Sequence, residues 1–345
     1  MFAARFIPNP DLVSPLHFLN IVPESAEMPV LFLTDDQVHG LLDIQQSIEI
    51  VEECFVALHE KRAANVPRSR IGMPGLLLHC MSASAQYLEV AGWKNYTTTR
   101  EGARFQVGLH DGKTGELLCL IDANRLGQLR TGAATGVAVK HLTTAGNAEV
   151  AIIGTGYQAE TQLSAICAVR SVSEARVFSR NAENREAFAE RMAAQLAINV
   201  RAVESVDAAI DAAAIVVTAT TSPTPVLNGS GLADSTLVAA IGGNQSSRTE
   251  LDGTTLERSR TVIVDDVTQC QIEAGELIGG VKAGLCRWED MRSLGSVIAD
   301  ESGFEPPEQG LTLFKTVGLA IQDVAMAHCL FRLAQERSIG QELPF

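Results

Sequence analysis

In the segment Ala151-Ile152-Ile153-Gly154-Thr155-Gly156-Tyr157-Gln158-Ala159, a glycine loop follows a short apolar run and opens a stretch with helical spacing. In a Gly-x-Gly-x-x-Ala turn the first glycine permits a tight bend and the second lets a pyrophosphate approach the backbone. The third small residue lets helix and strand pack closely. The start of the following helix then offers unpaired N–H groups and a partial positive charge to phosphate oxygens. Gly154, Thr155, Gly156, Tyr157 and Gln158 are therefore candidate contacts to a dinucleotide. A lone glycine pattern also fits an ordinary tight turn, but here the strand before, the helix after and a second strand at the right distance agree. That second strand ends in Val177-Phe178-Ser179-Arg180-Asn181. A carboxylate about 20 residues beyond the loop would accept from the ribose 2′-OH of NAD. None is present, and Arg180, beside Ser179, offers a planar fork to a 2′-phosphate. NADP(H) is favoured, and NAD(H) stays open.

Other groups with chemical potential give weaker signals. Asp265-Asp266 could hold a ribose or a metal, but an acidic pair without histidines reads as a strand-end turn. Glu273 and Glu276, three apart on a helical stretch, read as a solvated face. The seven cysteines are scattered without a Cys-x-x-Cys pair, so neither a zinc site nor a disulfide framework is expected. Reduced thiols in a cytoplasmic protein are the simple reading. Acidic residues exceed basic ones by 14, which argues against a nucleic-acid surface. A small anionic ligand needs only a few placed cations. No run approaches the ~20 apolar residues that cross a bilayer. Residues 1–28 contain Pro8, Pro10, Pro15 and Pro23 and lack the apolar core of a signal peptide. They read as an extension on the surface or against a partner subunit.

The elements that must position these groups follow from periodicity. Thr34 to Arg62 has helical spacing, with Asp35 or Asp36 as cap. Alternation from Arg104 to Asp122 around Asp111-Gly112-Lys113-Thr114-Gly115 predicts a β-hairpin. Thr131 to Leu142 is an Ala-rich helix. Strands are then expected at Val150–Ile153, Ala175–Phe178, Val200–Val203, Ile215–Thr218, Leu237–Ile241 and Val262–Val264, with helices after the first two. Strands separated by helices imply a parallel sheet covered on both faces. A tail helix over Thr316–Arg337 is expected to return to the N-terminal part. The expected fold is α/β. A Rossmann-type doubly wound parallel-sheet domain (130–315) is inserted between two parts, 1–129 and 316–345, of an α+β domain.

Leu129-Arg130-Thr131-Gly132-Ala133-Ala134, the glycine loop, Ile241-Gly242-Gly243-Asn244, Glu250-Leu251-Asp252 and Phe314-Lys315-Thr316-Val317-Gly318 together resemble the ornithine cyclodeaminase/mu-crystallin family. The resemblance runs from about Leu31 to the C-terminus. It implies a Rossmann domain for NAD(P)(H), a second domain for substrate binding and dimerisation, and a homodimer. It also implies hydride transfer between the nicotinamide and the α-carbon of a small amino or imino acid. By the same resemblance, Arg130 holds the substrate carboxylate and Lys94, in Gly92-Trp93-Lys94, lies near carboxylate and imine. Arg68 is a second clamp, with Arg70 as its rival for that role. Thr131 contacts a cofactor phosphate at a helix start, and Thr316 passes near the nicotinamide. For each cation the plain alternative is a surface charge.

Two departures from the family pattern bear on the reaction. The cyclodeaminases place Asp where this chain has Asn244; an amide can contact the substrate nitrogen but cannot act as a base. They also carry a Glu in the segment that here reads His79-Cys80-Met81-Ser82. His79 is either a proton donor or a partly buried histidine. Imine reduction or amino-acid dehydrogenation demands less of these positions than cyclodeamination of ornithine or lysine. A cyclodeaminase that recycles NAD+ and a non-enzymatic NADPH-binding protein are the alternatives.

Overall fold

Strand-forming and helix-forming stretches sort into two sheets in the computed structural model, which describes residues 29–344. The N-terminal extension, and with it the expectation of a surface or interface position, lies outside the described residues. The first sheet opens with β1 (Val30–Leu33). Then come α1 (Asp35–Leu41), α2 (Ile44–His59) and five strands: β2 (Ala63–Met73), β3 (Leu76–Ala85), β4 (Val90–Thr98), β5 (Ala103–Asp111) and β6 (Leu117–Asp122). β2 to β6 form an antiparallel meander, and β6 pairs in parallel with β1. The expected hairpin is thus present as β5 and β6. The expected single helix over Thr34–Arg62 is corrected to two, because two capping boxes start separate helices. The Thr34 hydroxyl and the Asp43 carboxylate accept from the backbone N–H of Gln37 and Gln46. Asp35 and Asp36 sit in the first turn of α1, where they complement the helix dipole rather than cap it.

Helix α3 spans Asn124–Leu142 and so begins two turns before the expected Thr131. Arg130 and Thr131 therefore project from the body of a helix, not from its start. The boundary between residues 129 and 130 falls inside it.

The second sheet contains eight parallel strands: β7 (Asn147–Ile153), β8 (Ser171–Phe178), β9 (Val200–Ala202), β10 (Ile215–Thr218), β11 (Leu237–Ala240), β12 (Ser259–Val264), β13 (Arg292–Ser293) and β14 (Leu311–Lys315). Their order is β13-β12-β14-β11-β10-β7-β8-β9. Helices α4 (Tyr157–Val169), α5 (Ala182–Leu196), α6 (Val206–Ile210), α7 (Gly253–Arg258), α8 (Val267–Glu273), α9 (Gly275–Lys282) and α10 (Leu294–Ile298) connect them. The order reverses between β7 and β10, which makes the crevice above their carboxyl ends a topological switch point. Buried apolar runs such as Ile215-Val216-Val217 explain why the strands read as continuous rather than alternating.

β14 enters between β11 and β12 although it follows both in the chain. The chain then runs without regular structure through Thr316–Leu319 before α11 (Ala320–Arg337), so the expected helix start at Thr316 is corrected. The cause is Asp265, whose Oδ2 accepts from the Thr316 hydroxyl (2.7 Å) and from the N–H groups of Val317 and Gly318 (2.8 Å each). α11 packs back on β3, β4, β5 and α2, and β15 (Gln341–Leu343) pairs with β1. Residues on both sides of the eight-stranded sheet thus build the seven-stranded one. Among the described residues no helix is long and apolar enough to cross a membrane.

Candidate active site

A cavity of about 340 Å³ lies where the two sheets meet, with the glycine loop on one side and β2, β4 and β5 on the other. The loop has the shape its sequence requires. Gly154 has φ +104°, and a Cβ there would stand 2.5 Å from the Ala219 carbonyl oxygen at the end of β10. Around Gly156 nothing lies within 4 Å of the position a Cβ would take. The N-terminus of α4 is capped by no side chain, and the N–H groups of Tyr157 and Gln158 have no partner among the described residues. Open room above an uncapped helix start fits a dinucleotide pyrophosphate. Ala159 is fully buried, as close helix–strand packing demands.

The loop is tied to the end of β8 through hydroxyls. Thr155 Oγ1 donates to Ser179 Oγ (2.9 Å), which donates to the Asn181 carbonyl (3.1 Å). Arg180 is exposed beside them. Arg185, on α5, donates to the Ser179 carbonyl (3.2 Å) and brings a second guanidinium to this strand end, which sequence reasoning missed. Thr131 lines the cavity, but its hydroxyl is taken by the Gly127 carbonyl (2.7 Å), as is usual for threonine in a helix body. Thr131 thus faces the cavity from a helix body and not from a helix start. Tyr157, Gln158 and Thr316 also line the cavity. Gly154, Thr155, Ser179 and Arg180 stand outside its wall.

Three expected cations converge on the cavity, each with different partners. Arg130 lies against Gly318, whose φ is +80° and whose missing Cβ leaves the room its guanidinium fills. Its Nη1 reaches Gln322 Oε1 at 3.4 Å, while Nη2 makes no hydrogen bond among the described residues. A donor face is therefore available to a ligand. Arg68 is engaged through both of its Nη groups. One Nη donates to Glu273 and the other to the carbonyls of Val317 (3.1 Å) and Gly318 (3.4 Å). These donors brace the cavity wall, while Arg68 itself lines the cavity and its buried Nε has no hydrogen-bond partner among the described residues. Arg70 does not line the cavity, and its Nη2 donates to the Asn244 carbonyl (2.6 Å).

Lys94 is among the largest fully buried side chains, and its Nζ donates to Asp323 Oδ1 at 2.6 Å. Burial draws its ammonium down to about 8, against the upward pull of Asp323. Gly127 supplies the space, since a Cβ there would sit 3.3 Å from Nζ. Asn244 closes the wall from the loop after β11. Lys315 Nζ holds that loop by donating to the Gly243 carbonyl (2.6 Å).

His79 stands outside the cavity wall and is buried. It stacks on Tyr96 with centroids 3.9 Å apart, and its Nε2 lies 3.1 Å from Thr98 Oγ1. Burial lowers it to about 4, so it is neutral at pH 7, and the geometry favours the buried-histidine reading. Tyr96 and Phe105 continue the stack at 4.8 Å and form an aromatic wall of the cavity. Glu273 and Glu276 are not a solvated face: both are buried, Glu273 against Arg68 and Glu276 against Lys315 (3.3 Å). Asp266 caps α8, and Asp265 holds the Thr316–Gly318 segment. Glu250, noted in the sequence only as part of a family motif, has a structural role. Its carboxylate joins the ends of β10 and β11 by accepting from Thr218, Thr220 and the Gly242 N–H.

Fold and site together define a dinucleotide-type α/β protein with a buried, cation-rich cleft at the switch point. The sequence profile of the ornithine cyclodeaminase/mu-crystallin family matches residues 29–338, and the chain belongs to that family. It is 32% identical over 273 residues to a Delta(1)-pyrroline-2-carboxylate reductase of Bacillus cereus, covering 77% of this chain and 84% of the relative. The structure of Thermococcus litoralis Delta(1)-pyrroline-2-carboxylate reductase with NADH and L-proline superposes with a TM-score of 0.86 at 30% identity. It covers 91% of this chain and all of that one. An archaeal alanine dehydrogenase dimer with bound NAD gives 0.86 at 27% identity, covering 92% of this chain and all of that one. These relatives are, by name, oxidoreductases of imino and amino acids.

Proposed function

We propose that the chain is a dinucleotide-dependent oxidoreductase acting at the carbon–nitrogen bond of a small α-imino or α-amino acid, with imine reduction the reaction best supported. The observation that carries this reading is the meeting of Arg130, Lys94 and the glycine loop in one cavity. Arg130 takes the substrate carboxylate on its free Nη2 by charge-assisted hydrogen bonds. Lys94 gives its proton to the imine nitrogen; with its ammonium near 8, it is mostly charged at pH 7 yet acidic enough to donate. Asn244 orients that nitrogen through its amide, and Tyr96 and Phe105 keep water from the carbon skeleton. The dinucleotide, when bound, supplies or accepts the hydride at the α-carbon. Gly154 to Gln158 cradle its phosphates, Thr131 lies beside them, and Thr316 lies toward its nicotinamide end.

In this reading NADP(H) is the preferred dinucleotide, supported by Arg180 and Arg185 at the end of β8 and by the missing carboxylate there. Residues 130–315 act as the dinucleotide-binding unit, and the flanking segments as the substrate-binding and dimerisation unit. A homodimer is supported by the edge strand β2, which exposes Val66, Ile71 and Met73. A cytoplasmic setting is supported by seven free cysteines.

The test is a panel of cyclic imines, and of keto acids with amines, followed for loss of NADPH and NADH in parallel. Net NADPH loss with at least one imine is expected. Ammonia release from ornithine or lysine without net change would point to a cyclodeaminase. Tight NADPH binding without turnover on any substrate would remove the enzymatic reading.

A further inference from the structure

Lys94 and Arg130 come from different elements, β4 and α3, and meet at a third. Asp323, in the first turn of α11, lies behind them and does not itself line the cavity. Its Oδ1 accepts from Lys94 Nζ at 2.6 Å and stands 3.4 Å from Arg130 Nε. Its Oδ2 is buried and has no donor among the described residues.

The surroundings of Lys94 favour the neutral amine from almost every side. Arg130 faces it from α3 and Arg68 from β2, both repelling an ammonium. The Phe105 ring on β5 lies 5.2 Å from Nζ and offers only the modest attraction of a π face. Asp323 is the only carboxylate within ion-pair distance of Lys94 among the described residues. A buried ammonium without such a partner loses its proton rather than remain charged.

We propose that Asp323 is a positioning residue: its carboxylate keeps Lys94 in the ammonium form beside the Arg130 guanidinium. The proposal rests on the imine-reductase reading for its catalytic consequence, but not for its electrostatic one. It supplies from α11 an anion that the loop after β11, with Asn244, does not provide. During reduction the Lys94 proton passes to the imine nitrogen, and Lys94 regains one from solvent. The Asp323 carboxylate stays a hydrogen-bond acceptor throughout.

The chain has six lysines, so ¹³C-lysine labelling gives a readable set of Cε resonances, with Lys94 identified by its loss in Lys94→Arg. In Asp323→Asn the Lys94 resonance should titrate at least one pH unit lower than in the wild type, without substrate present. The alkaline limb of kcat/KM for the imine should move down with it, while NADPH affinity measured by calorimetry stays within twofold. Asp323→Glu should keep the Lys94 titration within half a unit of the wild type. It also serves as the test if the Asn variant fails to fold, since a drop of one unit or more would then overturn the proposal. An unmoved Lys94 resonance in Asp323→Asn would overturn it as well. Absence of turnover in every variant, with the resonance moving as stated, would count against the reductase reading alone.

Discussion

Lys94 Nζ and Asp323 Oδ1 lie 2.6 Å apart although 229 positions separate them, and both side chains are almost wholly withdrawn from solvent (2% and 1% exposed). Burial pulls the ammonium down to about 8, and Asp323 resists that pull. Imine reduction needs the protonated lysine, and that form is lost as pH rises through this value. The imine kcat/KM should therefore be level below about pH 8 and fall tenfold per unit above it. Lys94→Met should abolish this limb and lower kcat by roughly 10²- to 10⁴-fold, the usual contribution of a positioned acid. A wild-type profile flat to pH 10 would exclude Lys94 as the proton donor.

Arg130 is predicted to act on the substrate and not on the dinucleotide. Arg130→Met should reduce kcat/KM for the imino acid about 10- to 150-fold, from the loss of charge-assisted hydrogen bonds worth about 1.5–3 kcal/mol. Isothermal titration should give the same NADPH affinity for both proteins. Full turnover in the variant would show that the carboxylate is held elsewhere.

Gly154 and Gly156 should respond to substitution in opposite ways. Gly154→Ala meets the Ala219 carbonyl at 2.5 Å on a left-handed backbone, and should cost roughly 1–3 kcal/mol of stability. A lowered Tm without cofactor is the expected sign. Gly156→Val places its side chain in open space, so Tm should stay near the wild-type value while dinucleotide affinity falls more than about tenfold. Unimpaired NADPH binding in Gly156→Val would place the pyrophosphate away from this loop.

At the end of β8, Arg180→Ser should raise the KM for NADPH about tenfold, the loss expected of one guanidinium–phosphate contact. The KM for NADH should change less than twofold. The double variant with Arg185→Ser should show a larger change in the same sense. Equal effects on both dinucleotides would rule out a 2′-phosphate contact at these arginines.

What could be read from the sequence was local. The glycine loop, the β5–β6 hairpin and the succession of strands and helices rest on spacings of two to four residues, and the structure contains them. Element ends shifted where tertiary contacts override periodicity. α3 begins at Asn124, seven residues before the expected start, and Thr316–Leu319 stays out of the helix because Asp265 holds it.

The hidden part was charge pairing across distance. Glu273 and Glu276 looked solvated because their partners, Arg68 and Lys315, come from remote strands. The ion pair of Arg68 with Glu273 was hidden for the same reason. Asp323 sits in an apolar helix stripe with no local sign of a buried ion, and only the packing of α11 across β4 and α3 reveals it.

The late position of β14 has a consequence for how the chain matures. Its neighbours β11 and β12 are both synthesised earlier, yet they can be joined only through it. The sheet must keep an interior place unfilled until residues 311–315 arrive, and the helix carrying Asp323 follows immediately after. Closure of the sheet therefore waits on a strand that follows its seven other members in the chain. Such long-range closure makes for slow folding, with unpaired strand edges exposed in the interval.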